Sequence, residues 1–331
     1  MARPPSISVV MAVHNGGRHL PNAIASIRSQ EFRDFEFLVV DDGSTDETVD
    51  VLASASDPRM RVLRRGECRG LTASLRLAMD ESRGEFVARL DADDAARPDR
   101  LGKQVAYLKA HPQVVLVGSG VTLVDDDGRL LGDYFYPTEH RNLVRALEKL
   151  LNPLPHSTIM FRREPMAACG GYRARFVKAQ DYDLLLRLSE RHGLASLHEP
   201  LCRLRYSLTS MTSSAQDGQQ LKYTVLAYVT ALIRRAGGAD PLDLEGREVF
   251  LAAFRDWYAA SSYPRRFHSR QLRRQARVAW HRGRWREAIT AVANAFRADP
   301  LWLADRVVTR RRESIESVKI LGARDLRLTR A

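Results

Sequence analysis

Long hydrophobic runs are missing from this sequence. The longest stretch without Asp, Glu, Lys or Arg is the 15 residues from Ala110 to Val124. That is short of the ~20 apolar residues needed to span a bilayer. Cysteine is scarce: Cys68, Cys169 and Cys202 are odd in number, far apart and never in a Cys-x-x-Cys pair. This argues against a disulfide framework or a thiolate zinc site and fits a reducing compartment. Arg3 and the apolar residues Ile7 to Val13 lead into His14-Asn15-Gly16-Gly17 without a small-residue cleavage site, so no secretory leader is expected. Two phosphate-binding signatures are also missing. No Gly-x-Gly-x-x-Gly follows the first apolar run and no Gly-Lys-Ser/Thr occurs anywhere, which disfavours dinucleotide binding and P-loop chemistry.

What is present describes a globular chain with ample core: 331 residues, 44% hydrophobic and 28% charged. The length suggests about two domains. Charge divides them unevenly. Residues 264–331 hold 18 Lys and Arg against 6 Asp and Glu, which accounts for the whole net charge of +12 and leaves the remainder neutral. The expected division is a domain over residues 1–215 and a basic helical region over 216–331.

The first half alternates. Ser6 to Val13, Phe35 to Val40, Arg61 to Leu63 and Glu85 to Leu90 read as strands. Leu20 to Gln30, a segment running to about Ala55, and Leu71 to Ser82 read as helices. Ser44 and Glu47 have the spacing of a capping box for the second helix. Strand and helix in this rhythm predict an α/β fold, a parallel sheet with helices on both faces. Ligands bind such sheets outside the carboxyl ends of the strands. Three of those ends are polar: His14-Asn15, Asp41-Asp42, and Asp91-Ala92-Asp93-Asp94. Either acidic cluster alone is an ordinary turn. Together on one edge they repel each other unless a cation or donors sit among them, and hard oxygens suit Mg²⁺ or Mn²⁺ with a phosphate ligand.

These segments resemble the family 2 glycosyltransferases. The likeness runs from Ser8 to Asn15, through Val39 to Asp46 and Gly84 to Asp94, into Pro98 to Gln104. It resumes at His156 to Arg162, Gly170-Gly171-Tyr172 and Gln180 to Leu184. The resemblance implies a GT-A fold, a mostly parallel sheet with flanking helices. It also implies an inverting, metal-assisted transfer from a nucleotide-sugar donor, with a UDP-sugar expected, to a glycan or lipid-linked acceptor. It makes Asp41 and Asp42 the pair that meets the nucleoside and Asp91-Ala92-Asp93 the DXD motif. Asp93, with Asp91, would bind the metal, and Asp181 would be the general base. Ala12, His14 and Asn15 are expected to line the donor. His156 is either a structural histidine or an acceptor or phosphate contact, and Arg69 is either solvent-exposed or a contact to the nucleotide base. Two departures stand out. Gln180 replaces an acidic neighbour of Asp181, which removes like-charge pressure on the base. No histidine occurs near Arg203 to Tyr206, which leaves Arg205 as either a phosphate contact or a surface residue.

Ser207 to Gln220 reads as a linker or lid. Gly283, Trp285, Ala288, Ala295 and Pro300 fit part of a tetratricopeptide-like repeat, of which one copy cannot bury its own face. The four tryptophans, all beyond residue 250, are assigned to packing. The basic C-terminal residues fit either a solvated helical face or adhesion to an anionic membrane surface. No nucleic-acid recognition motif accompanies them. A cytoplasmic protein, peripheral at the inner face of the membrane, is the expectation. Two other readings of the carboxylates stay open: a sugar nucleotidyltransferase, and a catalytically idle scaffold.

Overall fold

The computed structural model describes residues 3–206 and 218–261, with a few further positions between 263 and 294. The linker Ser207 to Gln220 is therefore described only at its last three residues, and the repeat-like positions and most of the basic segment lie outside the described residues. The chain divides into two compact units, Met1–Ser210 and Met211–Ala331.

In the first unit β1 (Ile7–Val13), α1 (Leu20–Arg28), β2 (Phe35–Asp41), α2 (Thr48–Ser54), β3 (Met60–Arg64), α3 (Leu71–Glu81) and β4 (Phe86–Arg89) follow in the expected rhythm. Then come β5 (Ala95–Ala96), α4 (Arg100–Ala110), β6 (Val114–Val124), β7 (Leu130–Tyr134) and α5 (His140–Leu147). The unit closes with β8 (Met160–Arg162), α6 (Arg163–Ala168), α7 (Gln180–Ser189) and β9 (Gly193–Arg205). The nine strands form one sheet in the order β3-β2-β1-β4-β8-β6-β9-β5, with β7 paired to β6.

All seven residues of β1 and of β2 are buried. Ile7, Val9, Met11 and Val13, with Phe35, Phe37 and Val39, share one core with Ile24 and Ile27 of α1 and Leu101 and Val105 of α4. Val10, Leu38 and Val40 are buried too, as are Leu75 and Ala78 of α3, which packs on β1 and β2. Cover on both faces explains why these strands are continuously apolar rather than alternating.

β3, β2, β1 and β4 are parallel, as the rhythm predicts. Beyond β4 the sheet becomes mixed. β8 runs antiparallel to both β4 and β6, and β5 runs antiparallel to β9. The chain leaves β1 toward β2 on one side and returns to pair β4 on the other. This switch point opens a crevice outside the carboxyl ends of β1 and β4.

One local expectation fails. Ser44 does not cap α2, whose N-cap is Glu47 without a side-chain cap bond. Gly43 at φ +75° turns the chain, and the Ser44 hydroxyl instead accepts the Asn15 N–H at 3.0 Å. Asp46 takes over, accepting the Thr48 N–H at 3.1 Å.

The second unit contains α8 (Gln219–Arg235) and α9 (Arg247–Ala260). Arg234 and Asp240 pair at 2.5 Å after α8. Phe250, Phe254, Trp257 and Tyr258 stack along α9, the packing role expected of Trp257.

At the opposite edge of the sheet from the crevice, Glu36 accepts Ser8 Oγ at 2.7 Å and the Arg83 N–H at 2.8 Å. It also accepts Arg83 Nε and Nη2 at 2.9 and 2.7 Å. Burial alone would raise this carboxyl, but the bonds from Arg83 and Ser8 hold it below its ordinary value of 4.5. A carboxyl depressed on folding stabilises the native state above its unfolded value, and that contribution fades as the pH falls through the folded value. Glu36→Gln is expected to cost about 1–3 kcal/mol at pH 7 and progressively less below pH ~4.5. Urea unfolding at pH 7 and pH 3.5 measures both, and equal midpoints for wild type and variant at pH 7 would refute it.

Candidate active site

The crevice is built by loops that the strand ends deliver. After β1, His14 Nδ1–H donates to the Asp42 carbonyl at 2.9 Å, which fixes the ring proton on Nδ1. Asn15 Oδ1 accepts the Thr45 N–H at 2.9 Å. Asn15 adopts φ +51° to make this turn, a conformation Asn tolerates better than most residues. The ends of β1 and β2 are thereby laced together, and Ala12 lies buried beside its register partner Val40.

Asp41 and Asp42 are both buried but differ in what they hold. Asp41 accepts the Ser44 N–H with one oxygen at 3.0 Å. Asp42 accepts the Arg69 N–H at 3.1 Å, the Gly70 N–H at 2.7 Å and the Cys68 thiol at 3.3 Å, with Arg65 Nη1 at 3.4 Å. Burial would raise its carboxyl, but the Arg69 N–H and the other donors outweigh it and hold it below the ordinary range. Asp42 thus organises the 67–70 loop. The Arg69 side chain points outward and pairs with Glu67 at 2.8 Å. It lines a 340 Å³ cleft with Arg65, Arg76, Ala174 and Val177.

The acidic turn after β4 carries the densest network. Asp91, Asp93 and Asp94 place one carboxylate oxygen each within 4.8 Å of one another, a group of metal-ligand dimensions. The Arg89 guanidinium, fully buried, is ion-paired with Asp91. Ser157 sits between the carboxylates, 2.9 Å from Asp91 Oδ2 and bonded to Asp94 Oδ2. It also accepts the Asp91 N–H at 3.0 Å and Arg89 Nη1 at 3.2 Å. Asp94 Oδ1 accepts the Arg205 N–H at 2.8 Å.

Three neighbouring carboxyls therefore diverge. Burial would raise Asp91, but the charge and hydrogen bond of Arg89 hold it low. Burial, then the charges of Asp91 and Asp93, push Asp94 well up. Lost hydration and the Asp91 charge push Asp93 up to about 6. The Ser157 hydroxyl faces both Asp91 and Asp94, and its single proton can be donated to only one of them at a time. Asp93 is the solvent-facing member and has no side-chain partner among the described residues, which leaves its oxygens able to ligate. Hard oxygens of this number fit Mg²⁺ or Mn²⁺, which bind through one or two carboxylates and retain positions for water and phosphate.

Arg205 brings its backbone to this turn, while its Nη1 donates to the carbonyls of Asp125 and Asp126 at 2.8 Å each. Its buried Nε has no partner among the described residues. His156 Nε2 lies 2.7 Å from the Tyr172 hydroxyl. Burial and then the Arg89 charge push His156 well below its ordinary value, so the imidazole is neutral.

Asp181 lies in the first turn of α7, after Ala179 at φ +54°. Its Oδ2 accepts Asn152 Nδ2 at 2.6 Å and its Oδ1 the Tyr182 N–H at 2.8 Å. Burial raises its pKa even with neutral Gln180 beside it, the backbone bond and Arg89 opposing. Arg89 and Asp91 influence Asp181 and Tyr172 alike, so the acidic turn and Asp181 share one electrostatic environment. Arg89, Asp94, Asn152 and Ser157 were not singled out from the sequence. Asp94 and Ser157 stood inside the motifs that were, but no residue type or spacing marked them as a bridge.

The family description that matches is glycosyl transferase family 2, over residues 8–170. EpsE of Bacillus subtilis (strain 168), which carries a glycosyltransferase name, is 34% identical over 207 residues, covering 61% of this chain and 73% of that protein. The O-antigen biosynthesis glycosyltransferase WbnJ of Escherichia coli is 30% identical over 184 residues, 55% of this chain and 71% of WbnJ. Some relatives are much longer: the chain spans 18% of the O-antigen biosynthesis protein RfbC of Myxococcus xanthus. Among solved structures, S. aureus TarS 1-349 in complex with UDP-GlcNAc has a TM-score of 0.58 at 17% identity, covering 96% of this chain and 90% of that one. The mannosyltransferase PcManGT from Pyrobaculum calidifontis, in complex with GDP-Man and Mn²⁺, has a TM-score of 0.52 at 19% identity, covering 92% and 88%. These likenesses show the fold, the one expected from the sequence.

Ser157→Ala strips a shared partner from Asp91, Asp94 and Arg89, and is expected to cost about 1–3 kcal/mol. Thermal unfolding measures it. A melting temperature equal to wild type would show that the hydroxyl contributes no net stability.

Proposed function

Because the chain belongs to glycosyl transferase family 2 and is a glycosyltransferase, we propose that it moves a sugar from a UDP-sugar to a hydroxyl of a glycan or lipid-linked acceptor, with inversion. The observation that carries this reading is the solvent-facing Asp93, without a side-chain partner among the described residues, beside ion-paired Asp91 and under the same Arg89 and Asp91 charges that act on the half-buried Asp181.

Asp41, with one oxygen committed to Ser44, offers the other to the nucleoside, while Asp42 holds the 67–70 loop and with it Arg69 at that end. Ala12, His14 and Asn15 form the adjacent wall. Asp93 and Asp91 would hold Mn²⁺ or Mg²⁺. When bound, the cation neutralises the charge that grows on the departing diphosphate. Arg89 keeps Asp91 ionised for that task. The orphaned Nε–H of Arg205 suits an anionic oxygen, and neutral His156 with Tyr172 lines the space toward Asp181.

Asp181 takes the proton of the acceptor hydroxyl as that oxygen attacks the anomeric carbon from the face opposite the leaving group. A base whose pKa is raised by burial is better matched to neutral pH. One carboxylate base without an enzyme nucleophile makes the displacement single and the outcome inverted. The basic residues of 264–331 would hold the protein at anionic lipid, on the side where a cytoplasmic enzyme meets a lipid-linked acceptor. No helix among the described residues is long and apolar enough to cross a membrane.

Thermal unfolding with a panel of nucleotide sugars, with and without Mn²⁺, tests the donor site. Ligand at 100 times its dissociation constant adds about 2.7 kcal/mol. One UDP-sugar should give a Mn²⁺-dependent shift that Asp93→Asn abolishes. Asp181→Asn should keep that shift while lowering turnover about 10²- to 10⁴-fold. The absence of a shift with every nucleotide sugar would sink the donor assignment.

A further inference from the structure

We propose that Asn152 is a positioning residue for the general base, its side-chain amide holding the Asp181 carboxylate in place and in its charged form. This rests on the reading of Asp181 as the base.

The geometry leaves little freedom in how the amide is presented. Asn152 Oδ1 accepts the Leu154 N–H at 3.1 Å. A backbone N–H can only donate, so this bond identifies the oxygen end of the amide and turns the NH₂ end to Asp181 Oδ2, at 2.6 Å. With the Tyr182 N–H on Oδ1, each carboxylate oxygen has one donor and keeps acceptor capacity for the proton of an incoming hydroxyl.

The turn that carries Asn152 is anchored on both sides. Before it, the N–H groups of Leu150 and Leu151 return to the carbonyls of Leu147 and Ala146 at 2.8 and 3.1 Å, with Leu150 at φ +55°. After it, Leu154 is fully buried. It packs so closely on Gly118 that a Cβ there would come within 2.6 Å of Leu154 Cδ2. A second bond joins the same two segments one residue on: the Tyr182 hydroxyl donates to the Leu147 carbonyl at 2.5 Å. Asp181 and Tyr182 thus tie the start of α7 to the segment after α5 and to the last residue of α5. The left-handed Ala179 sets the direction in which α7 begins.

A donor on a carboxylate favours its charged form, against the burial that works the other way. The other groups that act on Asp181 are Arg89, which favours the charged form, Asp91, which opposes it, and the neighbouring hydroxyl of Tyr172. Substitution at position 152 leaves all of these in place.

The test is a side-chain carboxyl ¹³C titration of the full chain, with the Asp181 resonance assigned by its loss in Asp181→Asn. Asn152→Ala is expected to raise the Asp181 midpoint by about half to one pH unit. The acid limb of kcat/KM for nucleoside diphosphate release should move up by the same amount. Asn152→Asp preserves size and the bond to Leu154 but sets two carboxylates against each other, and should raise the midpoint further. Unmoved midpoints in both variants, with KM for the acceptor raised instead, would make Asn152 an acceptor contact and overturn the proposal. An Asp181→Asn variant that keeps wild-type turnover overturns the base reading itself. An inactive Asp181→Asn with unmoved midpoints overturns only the role of Asn152.

Discussion

A guanidinium fully buried at the end of a central strand is the constraint on which this site depends. Arg89 cannot be hydrated where it lies, so it must be paired, and Asp91, two residues on, is its partner. That ion pair has a large desolvation penalty to offset, and the guanidinium keeps bonding capacity beyond the pair, of which Nε has no partner among the described residues. Ser157 meets part of it and, in doing so, also holds Asp94. The result is an acidic turn in which one carboxylate is locked, one is buried and raised, and one is left to the solvent. Arg89 sets Asp91 apart, and burial with the charge of that ionised Asp91 separates Asp94 and Asp93 from it.

The sheet topology places the partners. β8 runs antiparallel to β4, with Ala88 opposite Met160 and the Arg89 N–H bonded to the Ile159 carbonyl at 3.0 Å. The turn that precedes β8, His156 to Thr158, must then lie over the carboxyl end of β4, where Asp91 begins. On the far side, β5 pairs with β9, Ala95 opposite Arg203, which delivers the Arg205 N–H to Asp94. Stability and function are coupled here: the bonds that assemble the turn also set which carboxylate can ligate.

Much of this was legible beforehand. Continuous apolar runs bounded by glycine and carboxylate clusters located β1, β2 and β4 to within a residue or two, because strands covered on both faces have no alternative to apolar side chains. The acidic clusters read as a site because each stands at a strand end. The Ser44–Glu47 spacing misled, since a capping box is a local pattern and Asn15, 29 residues away, competed for the same hydroxyl. Asn152 and Ser157 gave no signal: a single amide and a single hydroxyl are common residues whose meaning lies in what they face.

The amino-acid sequence by itself determined the α/β class and the carboxylate-rich edge, since each rests on periodicity or turn chemistry, while the candidate base Asp181 came from a motif that resembles the family's. Only the tertiary structure decided that Asp93 is exposed while Asp94 is buried. It alone decided that Asp42 spends its oxygens on the 67–70 loop and that Asn152 reaches Asp181. The physical reason is that hydration, pairing and hydrogen-bond satisfaction are properties of neighbours in space. Antiparallel pairing and the anchoring of loops bring those neighbours from 27 to 111 residues away.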